Sequence, residues 1–229
     1  MKALRINARS VKAGSATWRR LRTEKIVDQK VELKIYPSLE HGELKKITSI
    51  VLHRTDSSTA SSTLGAYAGG KKEGAHFLID RNGQIYQTAT LNKICWHVGI
   101  LLPRCLIEKG CDPKELKTIN ALIHEKGLSF GRRAQNLSEH EARKSYPLRY
   151  PSNSDSIGIE VVGKFWPSKK AFDGPTAQQL SSTRWLVGVL TQAHGLNLRS
   201  NVYAHGAIAR KEESEGAQLL QYLHSGVAP

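Results

Sequence analysis

Two histidines and a handful of carboxylates stand where this sequence could do metal-assisted chemistry. His53 follows the apolar run Ile47-Thr48-Ser49-Ile50-Val51-Leu52, Glu160 lies inside the apolar run 157–162, and His205 follows Asn201-Val202-Tyr203-Ala204. Buried strands are rigid places from which to aim side chains into a shared cleft. Two neutral imidazoles and one carboxylate make an open zinc site, with the fourth position left for water. After His205 come Lys211, Glu212, Glu213 and Glu215. A lysine beside a polarised carbonyl steadies a tetrahedral oxyanion. A glutamate near an activated water takes its proton and passes it to a leaving nitrogen. Singly these residues say little, because a strand-end histidine is usually structural and adjacent glutamates are usually solvated. Glu160 says more: a carboxylate in an apolar strand is costly unless it is paired or used.

These residues need a scaffold, and the pattern around them supplies one. The alternation over 31–36, with turn residues from Pro37 to Gly42, predicts a hairpin returning through Glu43-Leu44. Residues 47–52 read as a central strand and 57–69 as a helix. The segments 75–80 and 84–87 flank Asn82-Gly83, a hairpin turn signal. Residues 101–152 lack strand character and predict helices over 113–126 and 138–144, the second opened by a Ser138/Glu141 capping box. A strand follows over 156–163. Pro175, at a first helical position, opens a helix that Gly195 ends. Strands and helices alternate, so the fold class is α/β, a central mixed β-sheet flanked by helices. Residues 1–45 read as a basic N-terminal extension packed on the catalytic domain, and 46–229 as that domain, with a helical insertion at about 101–152.

The chain has 229 residues and carries 34 Lys+Arg against 20 Asp+Glu, a formal charge of +14. Such a field attracts polyanions, whether nucleic acid, anionic lipid or the carboxylate-rich bacterial wall. No zinc-finger, RNP or basic-zipper pattern accompanies the charge, so nucleic acid is not the expected partner. No run approaches the ~18 apolar residues of a membrane span, and membrane insertion is not expected. The basic start lacks the apolar core of a Sec signal, so the expectation is synthesis in the cytoplasm without one. Cys95, Cys105 and Cys111 show no paired metal-ligand spacing. Cys105 and Cys111 are near enough to bridge in an oxidising space.

Four strings occur in order: Ile50-Val51-Leu52-His53-Arg54-Thr55, Ala75-His76-Phe77-Leu78-Ile79-Asp80-Arg81-Asn82-Gly83, Trp96-His97-Val98-Gly99 and Ser156-Ile157-Gly158-Ile159-Glu160. Together they resemble the zinc amidases called amidase type 2, which include anhydro-muropeptide amidases, phage amidases and animal peptidoglycan recognition proteins. The resemblance implies Zn2+ in a surface cleft, with His53 and His205 as ligands. It puts Glu160 at the catalytic glutamate and Lys211 at the catalytic lysine. Trp96 and His97 match a Trp-His pair near the cleft, a substrate-binding or proton-relay position; His76 matches a strand histidine with a supporting role. The third ligand departs from the pattern. The family usually has Asp or Cys there, in an Arg-Lys-Thr-Asp-Pro-Gly context, where this chain has Lys211-Glu212-Glu213-Ser214-Glu215-Gly216. Glu215 keeps the spacing from His205 and precedes glycine, so it is preferred; Glu213 keeps the alternative spacing from Lys211.

The expected function is therefore a zinc-dependent N-acetylmuramoyl-L-alanine amidase. Its substrate is the amide between the muramic acid lactyl group and L-alanine, in peptidoglycan or muropeptides. The charge and the insertion favour an enzyme that attacks the periplasmic wall after non-classical delivery, as an antibacterial effector or an endolysin. An effector implies a cognate immunity protein. The alternatives are a cytoplasmic recycling amidase, a peptidoglycan-binding module without catalysis, and a basic nucleic-acid binder.

Overall fold

The computed structural model describes residues 4–5 and 24–226. Its centre is a six-stranded sheet. In chain order the strands are β3 (Val31–Leu33), β4 (Ser49–Arg54), β5 (Phe77–Ile79), β6 (Ile85–Gln87), β7 (Ser156–Val161) and β10 (Val202–Ala204), and the spatial order is β10-β4-β7-β5-β6-β3. All neighbours are parallel except the β5–β6 hairpin, which turns at Asn82-Gly83 with Gly83 at φ +85°. The sheet is thus mixed and flanked by helices. A short parallel pair, β1 (Leu4–Arg5) with β2 (Ile26–Val27), and a small hairpin, β8 (Phe165–Trp166) with β9 (Ala171–Phe172), lie outside it.

Side-chain alternation divides the two faces of the sheet. Ile50 and Leu52 of β4, and Ile157, Ile159 and Val161 of β7, enter one large core with Leu186, Val187 and Leu190 of α5 (Ala177–His194) and Leu219 and Leu223 of α7 (Ala217–Ser225). The alternate positions, Val51 and His53 on β4 and Gly158 and Glu160 on β7, belong to the opposite face. There α1 (Ala60–Ala68) covers one part with Ala60, Leu64 and Tyr67 against Leu78. Val98, Leu101, Tyr150 and Ile208 cover another around Val51. Between those two patches the sheet is left open, and the polar residues of the motifs lie in that gap.

Three local expectations give way to tertiary structure. The 31–44 hairpin does not form: β3 pairs parallel with β6, Pro37–Leu39 is a 3-10 turn, and Glu43 bridges Lys93. Leu39 is fully buried beside α1, and burying it takes the chain away from β3. The second insertion helix starts earlier than expected. With α2 (Arg104–Ile107) and α3 (Pro113–Ile123), the insertion contains α4 (Phe130–Ala142), capped by Ser129. Ser138 lies within α4, where its buried Oγ accepts the Leu101 N–H at 2.9 Å. Pro175 precedes the cap of α5; Thr176 and Gln179 form the capping box instead.

Cys105 and Cys111 form a disulfide, with a Cα–Cα distance of 4.6 Å. Among the described residues no helix is long and apolar enough to cross a membrane.

Candidate active site

Strand register assembles the site. His53 pairs directly with Glu160 across β4 and β7, and Ala204 pairs with Leu52, so His205 emerges beside His53. His205 opens the short helix α6 (His205–Ile208). The loop after it folds back, with the Gly206 N–H donating to the Glu215 carbonyl at 3.0 Å. Gly216 makes that return possible. It sits at φ +80°, and a Cβ there would lie 2.2 Å from the Leu52 carbonyl oxygen. The loop therefore presses directly on the end of β4 and delivers Glu215 into the gap.

Three atoms able to ligate a metal converge. Glu215 Oε1 is 2.7 Å from His205 Nδ1 and 3.4 Å from His53 Nδ1, and the two Nδ1 atoms are 2.8 Å apart. All three residues are buried. Glu213 is exposed and lies outside the group. The outer nitrogens settle the tautomers. His205 Nε2 donates to the Val98 carbonyl at 2.7 Å. His97 Nε2 lies 3.3–3.4 Å from the Ser156 hydroxyl and carbonyl, so its Nδ1 accepts from His53 Nε2 at 3.0 Å. Both inner Nδ1 atoms then present lone pairs towards a carboxylate, a donor set that repels itself and fits a divalent cation. Burial first, and His205 second, push His53 down to about 4, so its lone pair stays free at neutral pH.

Glu160 faces this triad without joining it. Its Oε2 is buried with no hydrogen-bond partner, and burial, reinforced by Glu215, pushes the carboxyl up to about 8. Lys71, Lys211 and Arg54 pull the other way. The triad, Glu160, Lys71, Lys211 and Trp96 line one cleft of about 920 Å³. Trp96 is 44% exposed. Its ring stacks on His41 at 3.7 Å and 12°, and His41 is fixed by a 2.8 Å bond to the Lys72 carbonyl. His97 borders the cleft but is 8% exposed and packs behind His53. Gly158 makes room for it, since a Cβ there would lie 2.8 Å from the His97 ring. Sequence reasoning did not single out Lys71 or His41. Both look like ordinary surface residues until the fold sets them beside Glu160 and Trp96.

His76 is a buried framework residue. Its Nδ1 accepts the Gly158 N–H at 3.1 Å and its Nε2 donates to the Lys93 carbonyl at 2.9 Å. Burial pushes it down to about 4. Between that value and the unfolded ~6.5 the native chain binds fewer protons than the unfolded one. The stability contributed by neutral His76 is thus complete above ~6.5 and lost as pH falls towards 4. That separation corresponds to roughly 3 kcal/mol. Urea unfolding of metal-free protein should give a midpoint that drops between pH 7 and 4.5, and drops less in His76→Gln. Equal drops in the two proteins would refute the assignment.

The chain matches the N-acetylmuramoyl-L-alanine amidase family, Amidase_2, over residues 43–217, and it belongs to that family. Solved structures share the fold at low identity. A selenomethionine derivative of AmpD is 17% identical, with 88% of this chain and 97% of that one covered, at TM-score 0.50. PlyL is 13% identical over 88% and 100%, also at 0.50. AmpDh3 from Pseudomonas aeruginosa is 18% identical over 81% and 61%, again at 0.50. No curated protein matches the chain.

Proposed function

We propose that this amidase is zinc-dependent, cleaves the bond between the muramic acid lactyl group and L-alanine, and acts on the bacterial wall. The observation that carries the reading is the convergence of His53 Nδ1, His205 Nδ1 and Glu215 Oε1 within 3.4 Å in a buried pocket open to the cleft. These three residues would hold the ion. Bound zinc supplies Lewis acidity, polarising the scissile carbonyl and acidifying the attacking water. Glu160 takes the proton of that water on Oε2, the atom with no partner of its own, and returns it to the leaving nitrogen. Lys211, on the rim, offers its ammonium to the oxyanion that develops on the carbonyl. Trp96 provides an apolar face for the substrate, backed by His41. His97 holds His53 in the ligating tautomer from behind, which favours an orienting role over substrate contact.

Part of the scaffold for this reading precedes residue 46. Ile26, Val31, Leu39 and Leu44 are core residues, so we read the described part of the extension, residues 24–45, as belonging to the catalytic unit. The Cys105–Cys111 disulfide suits an oxidising compartment, and the +14 charge suits an anionic polymer. Both favour a wall-attacking effector or endolysin over cytoplasmic recycling. As an effector the enzyme would be neutralised in the producing cell by an immunity protein seated over the cleft. Mass spectrometry of digests tests the whole proposal. Purified sacculi should release intact stem peptides beginning with L-alanine, faster per bond than soluble anhydro-muropeptides do, and a chelator should stop both. Release that survives chelation would overturn zinc dependence, and cleavage confined to soluble muropeptides would overturn the wall assignment.

A further inference from the structure

One contact from the insertion falls on a residue that lines the cleft. Phe130, the first residue of α4, lies 3.9 Å beneath the guanidinium of Arg210. Phe130 is 63% exposed, so core packing does not account for it. Arg210 lines the cleft. Its backbone is fastened by an N–H bond to the Ile100 carbonyl at 2.8 Å, next to the Leu101–Ala209 bridge. Among the described residues no carboxylate pairs with its guanidinium, which lies over the Phe130 ring. A guanidinium drawn to an aromatic face by cation–π attraction still has N–H groups along its edge for another partner. That edge matches a carboxylate, which accepts two parallel N–H bonds.

We propose that Arg210, positioned by Phe130, is a specificity residue that binds a free carboxylate of the peptide stem. The inference rests on the amidase reading above. Arg210 immediately precedes Lys211, the residue placed at the scissile carbonyl, so its partner lies close to the cleaved bond. The stem residue after L-alanine is joined through its side-chain carboxyl. Its α-carboxylate is left free in some walls and amidated in others. The enzyme therefore distinguishes those two wall chemistries, and the insertion is the part of the fold that makes the distinction.

The test compares two muropeptides that differ only in whether that α-carboxylate is free or amidated. The wild-type enzyme should favour the free acid by about tenfold in kcat/KM, the scale of one charge-assisted pair in a partly exposed site. Arg210→Ala should bring the ratio close to one, Arg210→Lys should keep part of it, and Phe130→Ala should reduce it while leaving the charge in place. Thermal melts of each variant confirm folding, and the ratio is internal to each enzyme, so partial unfolding does not mimic the effect. A wild-type ratio of one overturns the inference and leaves the amidase reading standing, as does a ratio unchanged in Arg210→Ala. Failure to cleave either muropeptide would overturn the amidase reading itself and this inference with it.

Discussion

Glu160→Gln should lower kcat by about 10²–10⁴-fold while the protein still purifies with one zinc ion per chain. The argument starts from strand register. His53 and Glu160 are direct neighbours across β4 and β7, so the glutamate is held beside the His53–His205–Glu215 group yet contributes no atom to it. Its Oε2 is buried and without a partner, a costly state for a carboxylate in a resting fold. Burial also pushes the group up to about 8, which brings its proton affinity close to that of a base working near neutrality. Glutamine keeps the shape and cannot take the proton. It is neutral, like the protonated carboxyl that burial favours at this position, so the variant should melt no lower than the wild type. Metal content by inductively coupled plasma mass spectrometry and turnover of a muropeptide by chromatography separate the two roles. Loss of zinc together with activity would make Glu160 a ligand; full turnover would remove it from the chemistry.

Much of this centre was legible in the sequence because each element rests on local order. The run 47–52 and the strand 156–163 are apolar enough to mark buried parallel strands, and Asn82-Gly83 marks its own turn. Histidines at or just beyond strand ends were therefore placeable before any contact was known. What stayed hidden depends on residues distant in sequence. The extension's strand β3 joins β6, more than fifty positions away, and its alternation alone favoured a local hairpin. Ser138 and Glu141 have the right letters for a helix start, but the helix had already begun at Ser129. Both side chains are buried; Ser138 accepts the Leu101 N–H and Glu141 pairs with Lys144. His41 beneath Trp96 and Phe130 beneath Arg210 are partnerships across the fold, and no spacing rule announces them. The proposed third ligand falls between these cases. The spacing from the second histidine that the family resemblance implies favours Glu215 over Glu213, but the choice turns on how the 209–216 loop folds back.

That choice leads to the second large effect. Glu215→Ala should abolish both zinc retention and activity, whereas Glu213→Ala should keep most of each. Glu215 is 8% exposed, with Oε1 within 3.4 Å of the Nδ1 atoms of both His53 and His205. Glu213 is an exposed residue of the same loop. Removing the carboxylate leaves two imidazoles, too few for the three-ligand plus water arrangement of a catalytic zinc. Metal affinity should fall by more than the 10–100-fold typical of losing an outer-shell partner. Glu215→Asp is the informative intermediate, because the family usually places a shorter ligand there. In this chain the loop is pinned by Gly216 against Leu52, so the backbone is not free to advance and compensate for a missing methylene. Aspartate should therefore bind zinc more weakly than glutamate, although its carboxylate is an equally good donor. Zinc titration with a competing chromophoric chelator measures all three variants on one scale. If Glu213→Ala released the metal and Glu215→Ala kept it, the loop would have to fold differently around the bound ion, and the ligand assignment would pass to Glu213.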